Sequence, residues 1–196
     1  MSLILSLVVQ SAVFFALAEW LLRRRGLSLA RLGLGRLTWR QGAQGIGFGV
    51  ILFAASNVLG SALDAALRHT LASAVYLRVA GPQWAQQDFA RFDAPWQRLA
   101  FVLTGTIAAP LGEEAFFRGY LYTALRARKG VMVAVGCSAL IFALCHLSPI
   151  TAACMIFLMG MALATAYERT GSLWVPILMH SVNNTLSFLL LWKQTS

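Results

Sequence analysis

Long apolar runs separated by short polar stretches follow one another along the whole chain. Several of these runs reach the roughly 20 residues that a helix needs to cross a bilayer. We predict six helical segments, at residues 2–22, 44–67, 95–125, 131–147, 151–167 and 173–192. Joined by short connections, they nearly fill the 196 residues of the chain. The pattern therefore predicts an all-α fold, a polytopic membrane bundle of about six transmembrane helices.

The composition agrees with this assignment. Hydrophobic residues make up 59% of the chain and charged residues 12%, about half the charged fraction of a typical soluble domain. We predict one integral-membrane domain over 1–196, with N-terminal helices and an interfacial segment at 1–100 and the helices that carry chemistry at 101–192. Within the first part, the stretch 68–96 mixes aromatic and charged side chains, as expected of a segment lying at the membrane surface.

The net charge of +9 comes largely from basic clusters at 23–40 and 126–129, between apolar runs. This is the positive-inside pattern, so we expect both clusters in the cytoplasm, contacts with membrane lipids, and no nucleic-acid partner. The protein is then a multi-pass component of a plasma or inner membrane. The first apolar run lacks the features of a cleaved signal and is expected to be a retained helix. Three cysteines, Cys137, Cys145 and Cys154, are predicted to be small buried hydrophobes.

Two further features concern helix packing. Gly45 and Gly49 have the small-xxx-small spacing that lets membrane helices approach closely, and Gly160 with Ala164 repeats it. In the third segment, Pro110 removes a backbone donor and is expected to kink the helix, so the carbonyl that it frees needs another partner.

Ionisable side chains are costly at membrane depth and indicate function or pairing. Glu113 and Glu114 are adjacent in apolar sequence, just after the proline. Successive helical positions point about 100° apart, whereas positions i and i+4 share a face. Glu114 is therefore expected to form a charge-assisted pair with Arg118, which leaves Glu113 free as a general base.

Two histidines lie in the apolar C-terminal half. His146 follows Phe142 by one helical turn, and His180 precedes Asn184 by one turn. Taken alone, His146 is also consistent with a hydrogen-bonded core residue. His180 and Asn184 are also consistent with polar contacts that hold two helices together. Taken with Glu113, they provide a base, a water-orienting imidazole and donors for an oxyanion.

The ordered motifs Glu-Glu-x-x-x-Arg, Phe-x-x-x-His and His-x-x-x-Asn resemble those of the CAAX protease and bacteriocin-processing (CPBP, or Abi) family, over about residues 104–190. That family contains the eukaryotic CAAX prenyl endopeptidase. The resemblance implies an intramembrane protease acting on a lipid-modified or membrane-embedded peptide. Carried over, Glu113 with His146 would activate water, and His180 with Asn184 would stabilise the oxyanion.

The same resemblance adds Glu114 to the candidate catalytic set and assigns structural support to Arg118 and Phe142. It leaves the cofactor open between zinc and a metal-free glutamate mechanism. The ligands of a zinc ion would be the base and both imidazoles, Glu113, His146 and His180.

Two other functions fit the same segments. A protein of this fold can act without proteolysis, as an immunity or scaffold protein that binds bacteriocins or membrane partners. A small transporter can use Glu113 as a proton relay, although no internal repeat is evident. The predicted topology also places His146 nearer the outer end of its helix than Glu113 and His180, so the three must be brought level if they act together.

Overall fold

The computed structural model describes residues 2–73, 75–76, 80, 89, 92 and 94–195. The described part contains no β-strand and six main helices: α1 (Ser2–Arg23), α2 (Trp39–Thr70), α3 (Pro95–Lys129), α4 (Val131–Cys145), α5 (Ile150–Thr170) and α6 (Trp174–Thr195). All but α4 are long and apolar enough to cross a membrane, and α4 has only 15 residues. The all-α, multi-pass membrane architecture is thereby confirmed, with five full-length candidate spans in the described part and one shorter helix.

The second helix begins earlier than its apolar pattern predicts, at Trp39. Thr38 and Gln41 form a capping box, in which the Gln41 N–H donates to Thr38 Oγ1 at 3.3 Å and the Thr38 N–H donates to Gln41 Oε1 at 2.9 Å. These bonds satisfy two backbone groups that a helix start leaves unpaired. At 32 residues, α2 has a length of about 48 Å, well beyond the hydrocarbon core of a bilayer.

The helix that carries the glutamates is continuous but adopts π-helical hydrogen bonding in two segments. π-Helical segments at Thr104–Ala108 and Ala115–Tyr122 flank a short α-helical segment, Ala109–Glu114. Near Pro110, where the sequence predicts a kink, the helix shifts from i+4 to i+5 hydrogen bonding on either side. Such π-segments are frequent at functional sites.

Small residues mark the closest helix contacts, as predicted. A Cβ added to Gly45 or Gly49 of α2 would lie 2.6 Å from Leu178 Cβ or 2.7 Å from Val182 Cβ of α6. A Cβ on Gly160 of α5 would lie 3.0 Å from the Cα of a residue on α4. Backbones can approach this closely only where no side chain intervenes.

The cysteine prediction is wrong, because Cys137, Cys145 and Cys154 are all exposed on the bundle. The exterior of a membrane bundle is as apolar as its interior, so an apolar neighbourhood in sequence does not indicate burial. About half of the interfacial segment predicted at 68–96 lies outside the described residues. The membrane orientation and the division at residue 100 remain predictions.

Candidate active site

A buried ion pair holds the middle of α3 against its neighbours. Arg118 Nη1 donates to Glu114 Oε1 at 2.8 Å, and both residues are fully buried. Arg118 also donates from Nη2 to the Gly160 carbonyl of α5 at 3.0 Å. Its guanidinium carbon lies 4.6 Å from the centre of the Phe142 ring on α4. The i,i+4 pair expected from sequence is present, and it joins three helices.

The same glutamate fixes an imidazole from α6. His180 Nδ1 lies 3.0 Å from Glu114 Oε1, and His180 is 2% exposed. Because Glu114 is paired with Arg118 as a carboxylate, it accepts here and His180 Nδ1 donates. With a proton on Nδ1, His180 can donate from Nε2 only as the imidazolium. Glu114 thus orients a potential cationic donor and does not itself line the cavity described below.

Glu113 pairs with the other imidazole across a wider gap. His146 Nδ1 lies 2.7 Å from the Phe142 carbonyl oxygen, which can only accept, so Nδ1 carries the proton. In neutral His146, Nε2 is therefore an acceptor, and it lies 3.9 Å from Glu113 Oε2. Glu113 Oε2 is buried and has no hydrogen-bond partner among the described residues. Two acceptors at this separation suit a bridging water that donates one proton to each.

The difference in depth expected from the topology does not keep these groups apart. α4 ends at Cys145, and His146 is the capping residue of its last turn. Its side chain thereby reaches the level of Glu113.

Asn184 has a contact that the sequence did not indicate. Its Nδ2 donates to the Gly105 carbonyl at 2.9 Å. In an α- or π-helix this carbonyl would accept from Ala109 or Pro110, but the Ala109 N–H donates to Thr104 and proline has no N–H. Asn184 therefore satisfies the carbonyl that the proline leaves free. A carboxamide has two N–H donors, so the second remains available to the cavity.

The neighbouring Asn183 was missed from sequence. It is largely buried and lines the cavity, and its Nδ2 lies 3.3 Å from Asn184 Oδ1 and 3.6 Å from Met159 Sδ. This contact keeps the oxygen of Asn184 toward Asn183 and its nitrogen toward α3. The signal available in sequence was a second asparagine within an apolar segment.

A cavity of about 630 Å³ lies inside the bundle and is lined by residues from all six helices. Most of its wall is apolar, while Glu113, His146, His180 and Asn184 line it together. An apolar cavity with a few convergent polar groups is the usual form of a binding or active site. The structure thus brings the predicted reactive groups into one space.

The zinc site proposed by the resemblance does not fit this arrangement. A catalytic zinc takes three protein ligands and one open position. Among the described residues, no group of three or more His, Cys, Asp or Glu side chains is placed to hold a metal. Glu113 and His146 face each other, whereas His180 directs Nδ1 toward Glu114.

Fold and site together define an integral membrane protein with a carboxylate and two imidazoles around an internal cavity. Residues 95–186, which contain all three motifs, match the family described as "Type II CAAX prenyl endopeptidase Rce1-like". A Bacillus subtilis (strain 168) protein named "Putative membrane peptidase YdiL" is 31% identical over 84 residues, which are 43% of this chain and 34% of that protein. Residues 95–186, slightly less than half of the chain, are thus similar to the CAAX prenyl endopeptidase family.

The aligned region spans about a third of the length of that relative. No solved structure matches the chain.

Proposed function

We propose that this protein is an intramembrane endopeptidase that hydrolyses a peptide bond with a water molecule activated by Glu113 and His146. The observation that carries the proposal is the pair of facing acceptors, Glu113 Oε2 and His146 Nε2, 3.9 Å apart at the cavity wall. The match of residues 95–186 to the Rce1-like CAAX prenyl endopeptidase family and the similarity to a relative named as a membrane peptidase support it.

In the proposed reaction, water lies between Glu113 and His146. Glu113 accepts a proton from the water as its oxygen attacks the carbonyl carbon of the peptide. The resulting oxyanion accepts hydrogen bonds from the His180 imidazolium through Nε2 and from the second N–H of Asn184. Glu113 then returns the proton to the amide nitrogen, the C–N bond breaks, and the carboxylate is regenerated.

The cavity favours an apolar substrate. Its walls carry side chains such as Phe101, Phe117 and Phe188, which suit the lipid chain of a lipidated peptide or a membrane-embedded segment. The description of the family includes a prenyl group. The proposed substrate class is therefore a lipid-modified, CAAX-prenyl-like peptide or a peptide that lies within the bilayer.

The test compares purified wild type, Glu113→Gln and Asp64→Asn in lipid nanodiscs. Fluorogenic prenylated peptides and a panel of membrane peptides serve as substrates. Loss of a general base should lower kcat about 10²–10⁴-fold. Asp64 forms an exposed pair with Arg68, so Asp64→Asn should cleave at the wild-type rate. If Glu113→Gln cleaves as fast as wild type, the proposed base is wrong.

Two further experiments distinguish the metal-free mechanism from a zinc mechanism, and proteolysis from a non-proteolytic function. Chelator treatment should leave activity intact if the glutamate mechanism operates, whereas loss that zinc restores would establish a metal. If folded wild type cleaves no peptide in a broad panel, the immunity or scaffold function becomes the better account.

A further inference from the structure

Gln10 is a polar side chain near the middle of the otherwise apolar α1. It lies outside the region that matches the family, yet it lines the same cavity as Glu113. Gln10 is exposed, and no described residue forms a hydrogen bond with its carboxamide. An unpaired amide at membrane depth is costly, so such a position indicates a polar partner within the cavity.

The register of α1 against α3 places Gln10 beside Glu113. A Cβ added to Gly112 would lie 2.3 Å from the Ser11 carbonyl oxygen, so the two backbones touch at this point. The next residue of α3 is Glu113 and the preceding residue of α1 is Gln10. Adjacent Cα atoms are only 3.8 Å apart, so both residues flank the contact.

Aromatic contacts one turn further along confirm this register. The ring centre of Phe14 lies 5.7 Å from that of Phe117. Phe14 is four residues after Gln10, and Phe117 is four residues after Glu113, so each pair shares a helix face. All four side chains line the cavity. The side chains of Gln10 and Phe14 on α1 therefore lie alongside those of Glu113 and Phe117 on α3, and the two helices run in the same direction here.

The other carboxamides of the cavity are already engaged. Asn57 donates to the Phe53 carbonyl of its own helix at 2.8 Å. Asn184 donates to Gly105, and Asn183 lies within hydrogen-bond distance of Asn184. Of the four Asn and Gln side chains that line the cavity, Gln10 is the one without a hydrogen bond to a described residue.

A carboxamide has both a donor and an acceptor, which matches the N–H and C=O of a peptide group. A helical substrate satisfies these groups internally, but a peptide extended for hydrolysis leaves them unpaired in an apolar space. We propose that Gln10 binds one backbone amide group of the extended substrate peptide, beside the bond that Glu113 hydrolyses. This inference rests on the proposed function, because it assigns a binding residue to the same site.

The first test compares Gln10→Met with Val9→Met. Methionine keeps the length of the glutamine side chain without its amide, and Val9 is an exposed neighbour outside the cavity lining. Loss of one hydrogen bond made equally in ground and transition states should raise KM about tenfold and leave kcat unchanged. Val9→Met should behave as wild type, and Gln10→Asn should recover part of the affinity.

A second test identifies the backbone group itself. Peptides are made in which one amide near the cleavage position at a time is replaced by an ester, which removes its N–H. At one position, the ester should weaken binding in wild type by several-fold and have no further effect in Gln10→Met. Identical penalties in both proteins at every position would show that Gln10 does not accept a hydrogen bond from a backbone N–H of the peptide.

Peptide binding measured in a Glu113→Gln background separates this inference from the proposed function. Absence of cleavage by wild type would overturn the protease assignment, and binding then decides the role of Gln10 independently. Equal affinity of Glu113→Gln and Glu113→Gln/Gln10→Met would overturn the inference. A fall in kcat with unchanged KM in Gln10→Met would also overturn it, because it would show that Gln10 orients the water instead.

Discussion

Replacing Glu114 by glutamine should lower the free energy of unfolding far more than the same replacement at Glu113. The substitution keeps the shape of the side chain and the acceptor for His180, but it removes the negative charge beside Arg118. Arg118 is fully buried, and its guanidinium has no other carboxylate among its hydrogen-bond partners in the described residues. The variant therefore leaves a cation without its counter-charge inside the bundle.

The expected magnitude follows from how completely this pair is buried. Breaking a buried ion pair by removing one partner typically costs about 3–5 kcal/mol. A stability of about 5–15 kcal/mol is usual for a domain, so Glu114→Gln should lose a large part of it. Glu113 lines the cavity and has no hydrogen bond from a described residue to Oε2, so Glu113→Gln should change stability by less than about 1 kcal/mol.

Thermal unfolding in detergent and the folded fraction by size-exclusion chromatography measure this difference. The double variant Glu114→Gln/Arg118→Met is the matched control, because it removes both charges and leaves no cation behind. Glu114 Oε2 and Arg118 Nε have no hydrogen-bond partner in the described part of the chain. The interactions of the ion pair therefore offset only part of the cost of removing both charges from water. Because the double variant no longer buries a charge, it should regain most of the stability that Glu114→Gln loses. Equal melting temperatures of the two glutamine variants would refute the reasoning.

Two other contacts give predictions of stability. Gly112→Ala places a Cβ 2.3 Å from a carbonyl oxygen of α1 and should cost about 1–3 kcal/mol by thermal unfolding. Gly136→Ala, which meets nothing within 4 Å, should be neutral or gain up to about 1 kcal/mol; equal losses in both would contradict the close approach. Asn184→Leu removes the hydrogen bond to the Gly105 carbonyl and should cost about 1 kcal/mol. Adding Pro110→Ala should restore stability, because alanine has a backbone N–H that can donate to this carbonyl. Failure of that rescue would disprove the link between proline and asparagine.

Local spacing in the sequence was sufficient to predict the bundle and its principal pairs. Apolar runs predict the helices within a few residues, except at the start of α2, which is set by the polar capping box of Thr38 and Gln41 and not by an apolar residue. The i,i+4 rule predicted the contact of Glu114 with Arg118 because both lie on one helix. The small residues at the helix contacts were recognised for the same reason.

Local spacing rules do not predict how one helix is aligned against another. Nothing in the sequence alone sets the register of α1 against α3, so the place of Gln10 beside Glu113 was not predicted. The link from Asn184 to Gly105 also depends on a π-segment, which shifts the free carbonyl by one residue from its α-helical position. Burial of the cysteines was predicted wrongly because hydropathy does not distinguish the inside of a membrane bundle from its lipid-facing surface.

The adjacency of the two glutamates acquires a physical reason in the structure. One helical step of about 100° directs Glu113 into the cavity and Glu114 behind its wall. Glu114 there accepts hydrogen bonds from Arg118 and His180, so the charge that orients the imidazole lies outside the cavity lining. A single glutamate cannot both stay paired with a buried arginine and remain free to take a proton from water. Two consecutive residues on one helix divide these tasks and keep Glu113 in a fixed relation to the imidazole of α6.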